Sequence, residues 1–315
     1  MQMILINLGL LVVGFALLIK GADFFVKGAS TIARRFGVPQ LVIGLTVVAM
    51  GTSAPEAAVS IGAAISGNAD ITIGNVVGSN IVNIFIILGF TALVAPLLVD
   101  RSALKADMPI MLGISVLLLP LGLTGNIVTR WEGFLLLAVF AVYMIHLFRQ
   151  ASQNTDENEE ERPTYGQGSL WMIFWGLLGL AMIIAGSKLT VHEATEIALD
   201  LGVSQRMIGL TIVAFGTSLP ELVTSVTAAR RGNTGIAIGN IVGSNIFNIL
   251  FVTGLTAAIT PIAFQSAFLI DTAIAAFAAL LLWCFALRAG HLERTSGIIL
   301  LLCYAAYFAF ILFLK

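Results

Sequence analysis

Two glutamates lie deep inside apolar segments of this chain, and each ends a copy of the same motif. The first copy reads Ile43-Gly-Leu-Thr-Val-Val-Ala-Met-Gly-Thr-Ser-Ala-Pro-Glu56, and the second reads Ile208-Gly-Leu-Thr-Ile-Val-Ala-Phe-Gly-Thr-Ser-Leu-Pro-Glu221. A bare carboxylate in hydrocarbon is costly, so such a residue faces a cavity or a partner of opposite charge. Neither copy contains a lysine or an arginine. We therefore predict that a bound cation balances the glutamates; the alternative is a neutral carboxyl with a structural role.

The residues before each glutamate supply further oxygen ligands. Thr52 precedes Glu56 by one helical turn, so both lie on one helix face. Pro55 has no N–H, which frees the carbonyl of Gly51 and predicts a broken helix that exposes backbone carbonyls and the Ser53 hydroxyl. Ligands that are all oxygen suit Ca²⁺ or Na⁺ and do not suit zinc or copper. The second half repeats the set with Gly216, Thr217, Ser218, Pro220 and Glu221.

A second repeated motif supplies amides and hydroxyls. Gly74-Asn-Val-Val-Gly-Ser-Asn-Ile-Val-Asn-Ile84 matches Gly239-Asn-Ile-Val-Gly-Ser-Asn-Ile-Phe-Asn-Ile249. In each copy an asparagine, a serine and another asparagine recur at every fourth residue and form one stripe on a helix. We expect Ser79, Asn83, Ser244 and Asn248 to face the site. Asn75 and Asn240 fit the site and interhelical packing equally well, and Asn80 and Asn245 are expected to pack.

Composition places these motifs in a membrane. The 315 residues are 58% hydrophobic and 10% charged, with a mean hydropathy of +1.01, whereas a soluble domain carries about 25% charged residues. We predict an all-α polytopic membrane protein that binds no nucleic acid. The segment 1–19 has no basic stretch before it and no cleavage site after it, so we predict a retained first helix. Cys284 and Cys303 are predicted to be buried, inert thiols.

About ten transmembrane helices are predicted from hydropathy and from helix-breaking residues. They fall near 4–19, 38–65, 71–95, 109–123, 131–148, 170–189, 207–229, 236–260, 268–287 and 298–314, and the first has an amphipathic continuation to residue 35. The acidic segment between the fifth and sixth helices is predicted to be a solvated linker. The predicted division is therefore a five-helix repeat at 1–149, a linker at 150–168 and a second repeat at 169–315.

The two repeats are predicted to be inverted. Five spans separate each position from its copy, and because five is odd, equivalent helices cross the membrane in opposite directions. Transporters often have this plan, with the binding site at the repeat interface near the midplane. The even-numbered loops carry only Arg130 and Arg206, which places the odd-numbered loops and the acidic linker in the cytoplasm and both termini outside. Basic residues of the odd-numbered loops are Arg34, Arg35, Arg101, Lys105, Arg149, Arg162, Arg230, Arg231, Arg288 and Arg294.

The paired Gly-Thr-Ser-x-Pro-Glu and Gly-Asn-x-Val-Gly-Ser-Asn-Ile-x-Asn-Ile motifs resemble the two α-repeats of the calcium/cation antiporter superfamily, in its sodium/calcium exchanger branch. The resemblance covers nearly the whole chain, and the short linker is similar to that of prokaryotic members. The proton/calcium exchanger branch carries a different glutamate motif. Family membership would make Glu56 and Glu221 shared carboxylates for Ca²⁺ and Na⁺.

The resemblance also implies roles for the neighbouring residues. Hydroxyl or carbonyl oxygens would line the site at Thr52, Ser53, Thr217, Ser218, Ser79 and Ser244. The carbonyls of Ala49 and Ala214 would serve flanking sodium sites, and Asn83 and Asn248 would complete the centre. Some family members carry Asp at the position of Asn248. Asparagine in both halves leaves the site two formal negative charges and leaves the coupling ratio open.

The function predicted from these features is secondary active antiport of Ca²⁺ against Na⁺ across the cell membrane, with no cofactor and no enzymatic activity. By resemblance, the first and sixth helices would slide against the other eight. The alternative within transport is a proton- or potassium-coupled antiporter. A hydrolase using Ser53 or Ser218 is disfavoured, because neither serine has a neighbouring base. A channel and a purely structural membrane protein are the other functional alternatives. The oligomeric state stays open, and a monomer is compatible with the pattern.

Overall fold

The computed structural model describes residues 2–67, 69, 71–123, 125–156, 169–202 and 214–314, and nearly all of this part of the chain is helical. It contains eight helices long and apolar enough to cross a membrane, or nine if one bent pair counts as a single span. The seventh predicted span, 207–229, begins among residues outside the described part. The prediction of an all-α polytopic membrane protein is confirmed.

The elements follow the predicted order. The helices of the first half are α1 (Gln2–Phe36), α2 (Gln40–Thr52), α3 (Ala54–Ile65), α4 (Ile71–Val94), α5 (Ala103–Leu123) and α6 (Arg130–Asp156). Those of the second half are α7 (Ser169–Asp200), α8 (Ala214–Gly216), α9 (Leu219–Arg230), α10 (Thr234–Ile259), α11 (Ala267–Ala289) and α12 (Arg294–Leu314). Four short strands are β1 (Leu97–Leu98), β2 (Ile127–Val128), β3 (Ile262–Ala263) and β4 (His291–Leu292).

Several helix ends differ from the prediction. The first span and its amphipathic continuation form one helix, α1, and α5 begins at Ala103 through a π-helical segment. The helix α6 continues to Asp156, so the first residues of the predicted linker are helical; 157–168 lie outside the described residues, and the domain division stays a prediction. The prediction of buried thiols is wrong for Cys284, which is exposed, and Cys303 is half-buried. Both lie on outer helices, α11 and α12, much of whose apolar surface lies outside the protein core.

The pairing of the short strands repeats between the halves. β1 pairs antiparallel with β4, and β2 pairs antiparallel with β3. β1 and β3 occupy equivalent places in the two repeats, as do β2 and β4, so the same ribbon is built twice from opposite partners. In the predicted topology the loops of each ribbon share one membrane face. This pairing agrees with two inverted five-helix repeats, because the pseudo-two-fold relation converts one ribbon into the other.

The centre of the fold is formed by α4 and α10. Most of α4 and nearly all of α10 are buried inside the protein, whereas α6 and α12 are largely exposed. The helix pair α2–α3 and its equivalent α8–α9 pack around this centre; α10 contacts α2 and α9, and α4 contacts α3. The motif-bearing helices of both halves therefore meet in the middle of the molecule, with the other helices outside them.

The helices α1 and α7 pack closely against each other along a row of glycines. A Cβ atom added at Gly179 would lie 2.6 Å from the carbonyl oxygen of Gly21, and one added at Gly186 would lie 2.8 Å from that of Gly14. Small residues allow two membrane helices to approach to backbone contact, so these two form a close pair.

Two buried aspartates tie outer helices together in equivalent places. Asp107 on α5 accepts a hydrogen bond from the Tyr143 hydroxyl of α6 at 3.0 Å. Asp271 on α11 accepts one from the Tyr307 hydroxyl of α12, also at 3.0 Å. The predicted fourth span begins after Asp107, and Asp271 lies in the ninth span outside the repeated motifs, so no sequence pattern singled out either pair.

Candidate cation site

Each glutamate lies in the first turn of a helix that starts directly after a break. Ser53 stands between α2 and α3 with φ −83° and ψ 8°, and the two helices meet at an angle of 48°. Ser218 precedes α9 with nearly the same backbone angles, φ −89° and ψ 5°. A proline in the first turn of α3 and of α9 explains the breaks, because it cannot continue the preceding helix. The N-terminus of a helix favours a negative charge, which suits Glu56 and Glu221.

The second break carries a contact from α7. The carbonyl of Gly216, which Pro220 leaves without its helical donor, accepts a hydrogen bond from the Ser187 hydroxyl at 2.9 Å. The predicted freed carbonyl is therefore present, but in this half a hydroxyl of the neighbouring helix pair α1–α7 occupies it.

The two breaks meet across the pseudo-two-fold axis. The Ser53 hydroxyl donates to Glu221 Oε1 at 2.7 Å, and the Ser218 hydroxyl donates to Glu56 Oε1 at 3.4 Å. All four residues are at most 1% exposed. No described lysine or arginine forms an ion pair with either glutamate. The serine before each acid therefore serves the acid of the other half, which the motif alone did not reveal.

Four buried side-chain oxygens at this place accept no hydrogen bond from the described residues. They are Glu56 Oε2, Glu221 Oε2, Asn83 Oδ1 and Asn248 Oδ1. The helix α3, which carries Glu56, packs against the segment that begins with Asn248, and α9, which carries Glu221, packs against the segment that begins with Asn83. Buried oxygens without donors are unfavourable. Two carboxylate and two amide oxygens, one of each kind from each half, are suited to a hard cation.

The helices α4 and α10 change their winding at these asparagines. Asn83 begins the π-helical segment Asn83–Leu88, and Asn248 begins the equivalent segment Asn248–Thr253. Short π-helical segments often occur at functional sites. The sequence motif gave no sign of the altered winding at either asparagine.

Four asparagines connect α4 to α10, and we call them the asparagine ring: Asn80, Asn83, Asn245 and Asn248. The Asn83 amide donates to Asn245 Oδ1 at 2.9 Å, and the Asn248 amide donates to Asn80 Oδ1 at 3.1 Å. Asn80 and Asn245 also donate to each other's backbone carbonyls, at 3.2 and 3.3 Å. Asn80 and Asn245 were expected only to pack, but they bond directly to two of the predicted site residues. Their recurrence at the same place in both motifs was the signal.

The first asparagine of each stripe forms hydrogen bonds to the helix that carries the glutamate. Asn75 donates to the Ser60 hydroxyl at 2.9 Å and to the backbone carbonyl of the glutamate at 3.2 Å. Asn240 repeats both contacts, with Ser225 at 2.9 Å and the other glutamate carbonyl at 3.4 Å. The Thr52 hydroxyl donates to Asn240 Oδ1 at 3.0 Å. For these two asparagines, the geometry favours the packing alternative.

The remaining predicted residues lie around the same centre. Ser244 donates to the carbonyl of Ala49 at 3.5 Å, so the predicted hydroxyl and carbonyl ligands are neighbours. Ser79 is buried on α4, and Thr217 is half-buried beside the second break. Ala214 begins α8, directly after the undescribed residues 203–213. The structure thus brings both repeated motifs to one place.

Comparison with known proteins gives matches over the whole chain. The family model described as "Sodium/calcium exchanger protein" matches residues 6–149 and 171–313, which contain both glutamate motifs. The sodium/calcium exchanger MaX1 of Methanosarcina acetivorans is 34% identical over 97% of this chain and 98% of its own length. The inner membrane protein YrbG of Escherichia coli is 40% identical over 82% of this chain and 81% of its own.

A solved structure has the same fold. The sodium-calcium exchanger NCX_Mj, soaked with 10 mM Na⁺ and no Ca²⁺, superposes with a TM-score of 0.86 and 33% identity, covering 97% of this chain and 99% of that one. Further structures of NCX_Mj, soaked with Sr²⁺ and Na⁺, give a TM-score of 0.85.

Proposed function

The chain belongs to the sodium/calcium exchanger family, and on that premise we propose that it is a secondary active antiporter exchanging Ca²⁺ for Na⁺. The exchange proceeds by alternating access, with Glu56 and Glu221 as ligands shared by both ions. The protein works as a transporter without a cofactor, and Ca²⁺ and Na⁺ are its cargo.

The single observation that supports this function most strongly is the set of four buried acceptor oxygens without a donor. They come from Glu56, Glu221, Asn83 and Asn248, two from each repeat. Leaving a buried acceptor unpaired costs about 1–3 kcal/mol. Single atoms of this kind also occur elsewhere, as at Asp107 Oδ2, but here four belong to residues of the two repeated motifs at equivalent positions in the two halves. Four such atoms from symmetry-related positions fit a ligand that enters and leaves.

The charge balance of the site explains how the transport of the two ions is coupled. One Ca²⁺ neutralises the two carboxylates, and so do two Na⁺. Because both ions use Glu56 and Glu221, they compete, and the loaded states approach neutrality. The empty state retains two uncompensated acids, which is unfavourable in a low-dielectric interior. Loaded protein therefore switches access and empty protein does not, which is the requirement for coupled exchange.

The movement proposed for the switch is a slide of α1 and α7 against the remaining helices. The row of glycines holds these two helices together at backbone contact, so they can move as one body. The ribbons β1–β4 and β2–β3 connect the loops of the other helices across the repeats. Together these features divide the protein into a mobile pair and a stable block.

The protein is placed in the cell membrane, with both termini outside and the acidic linker in the cytoplasm. The support is the distribution of Lys and Arg among the loops, together with the similarity to an inner membrane protein. The Ca²⁺ and Na⁺ pathways then open alternately to the cytoplasm and to the outside.

The deciding experiment is reconstitution of the purified protein into liposomes with Na⁺, K⁺ and H⁺ gradients imposed one at a time. An outward Na⁺ gradient alone should drive ⁴⁵Ca²⁺ uptake. Uptake driven by a pH gradient or a K⁺ gradient in the absence of Na⁺ would replace this proposal with a proton- or potassium-coupled antiporter. Flux of Ca²⁺ that runs down its own gradient and is indifferent to every counter-ion would identify a channel.

A further inference from the structure

The asparagine ring contains two kinds of asparagine. Asn83 and Asn248 each donate one hydrogen bond into the ring and keep an unpartnered Oδ1 among the described residues. Asn80 and Asn245 use both ends of the side chain: Nδ2 bonds to the opposite backbone and Oδ1 accepts from the opposite asparagine. All four side chains are at most 2% exposed. In the second kind, Oδ1 already accepts a hydrogen bond from the other asparagine of its pair.

The hydrogen bonds determine how each amide is oriented. An asparagine side chain can be turned over, which exchanges its donor and acceptor ends, and only the surrounding bonds select one orientation. Asn80 Nδ2 donates to a backbone carbonyl, which can only accept, so Asn80 Oδ1 must face Asn248. Asn248 must then present its amide to Asn80 and leave its own Oδ1 outward. The same chain of bonds runs from Asn245 to Asn83.

We propose that Asn80 and Asn245 are positioning residues of the cation site, each orienting the asparagine of the opposite half so that its carbonyl oxygen is presented to the ion. This proposal rests on the exchanger function and adds the residues that set the ligand geometry. The pairing is crossed: Asn80 acts on Asn248, and Asn245 acts on Asn83. Each half thus orients a ligand of the other.

The same bonds restrict the charge of the site. Asn80 Oδ1 needs a donor at position 248, and Asn245 Oδ1 needs one at position 83. An ionised aspartate has no donor to offer. The ring therefore selects a neutral side chain with a donor at both positions, which here is an amide, and keeps the site at the two negative charges of Glu56 and Glu221.

A purely structural role would make different predictions. If Asn80 and Asn245 only held α4 against α10, their loss would lower stability without regard to which site asparagine is present. If they orient ligands, the effect of removing Asn80 must disappear once Asn248 is gone. A double-mutant cycle separates the two possibilities, since it measures coupling between the members of a pair.

The test uses full-length protein in liposomes and compares Na⁺-driven ⁴⁵Ca²⁺ uptake of N80A, N248A and the double variant N80A/N248A. Loss of a hydrogen bond that orients a buried ligand should raise the KM for Ca²⁺ about tenfold in N80A, with a smaller effect on the maximal rate. The double variant should have the KM of N248A. The crossed control is N80A/N83A, in which the two increases in KM should multiply.

Ca²⁺ titration of the purified proteins by calorimetry gives a readout that does not depend on transport, and the same pattern of coupling is expected there. Independent effects of N80A and N248A, or equal coupling of N80A to N83A and to N248A, would overturn the proposal. Wild-type protein that transports no Ca²⁺ against Na⁺ would instead refute the exchanger function. If N80A is not monodisperse, Asn80→Ser, which fills more of the space and lacks the side-chain carbonyl that accepts from Asn248, replaces it in the cycle.

Discussion

Ser53 donates a hydrogen bond to Glu221 at 2.7 Å, although the two residues belong to different repeats. Its symmetry mate, from Ser218 to Glu56, is longer at 3.4 Å. The acid of each half is thus held by the serine of the other, and neither half contains a complete site. The contact also makes the two broken helices dependent on each other, since movement of one break displaces the acid that it supports.

Neutralising either glutamate should abolish exchange. In E56Q and E221Q an amide replaces one carboxylate, so the remaining single charge cannot balance Ca²⁺ in a buried site. We expect loss of Na⁺-driven ⁴⁵Ca²⁺ uptake in liposomes for both variants. Glu293 is exposed near β4 and contacts His291, so E293Q is the matched control and should transport normally. Retained uptake in both E56Q and E221Q would remove the shared-carboxylate mechanism.

Removing the serines should weaken ion binding without abolishing it. In S53A the Glu221 carboxylate loses the donor at 2.7 Å, and because hydrogen bonds to charged groups are worth about 1.5–3 kcal/mol, the KM for Ca²⁺ should change by about tenfold or more. S218A removes a longer bond and should have the smaller effect. A matched control is S225A, which removes an acceptor of Asn240 and not a partner of either acid. Equal effects of all three variants would show that the cross-repeat contacts have no special role.

Introducing a carboxylate in place of the Asn248 amide should make transport depend on acid. In the variant N248D an ionised carboxylate would face Asn80 Oδ1, an acceptor, and the two oxygens repel; a protonated carboxyl regains the donor that Asn248 supplies. The rate of N248D should therefore rise as pH falls. The wild-type protein has no such group at this position and is the control. A flat pH profile of N248D relative to wild type would contradict the orientation of the asparagine ring.

The glycine row between α1 and α7 should tolerate no side chain where the backbones touch. In G179A the added Cβ would lie 2.6 Å from the Gly21 carbonyl oxygen, and forced overpacking costs about 1–3 kcal/mol. We expect a lower Tm and slower exchange. Gly176 is the control on the same helix, because a Cβ there would lie 3.6 Å from Gly28, at ordinary contact distance. A G179A protein as stable and as active as G176A would mean that the two helices separate easily.

The sequence was sufficient for the fold class and the inverted repeats, and the site residues stay a prediction. The reason is physical: apolar runs determine the spans, and polar residues deep in a span are rare enough to be informative. Helix ends were less predictable, as at Ala103 and Asp156, because charged residues near a membrane face can continue a helix or end it. The residues 203–213, which contain most of the second copy of the first motif before its Gly216, lie outside the described part and leave that span untested.

The asparagine ring could not be predicted from a helical projection, which describes one helix and not its contacts with another. On a regular helix, Asn80 lies off the stripe that contains Asn83, which predicts packing and no relation to the site. The helices α4 and α10 cross so closely that Asn80, which lies off the stripe of α4, contacts Asn248 on the stripe of α10. Such contacts depend on the distance between two helices far apart in the sequence, and no local pattern encodes that distance.

Because the hydrogen bonds cross between the halves, the proposed ion site presents similar ligands toward both sides of the membrane. Carboxylate, amide and serine oxygens recur at equivalent places in the two halves, although some contacts are not repeated, such as the bonds from Ser187 to Gly216 and from Thr52 to Asn240. If the proposed exchange takes place at this site, the ligands themselves would favour neither import nor export. The ion gradients would set the direction of net flow, and the same molecule would serve extrusion or uptake as those gradients change.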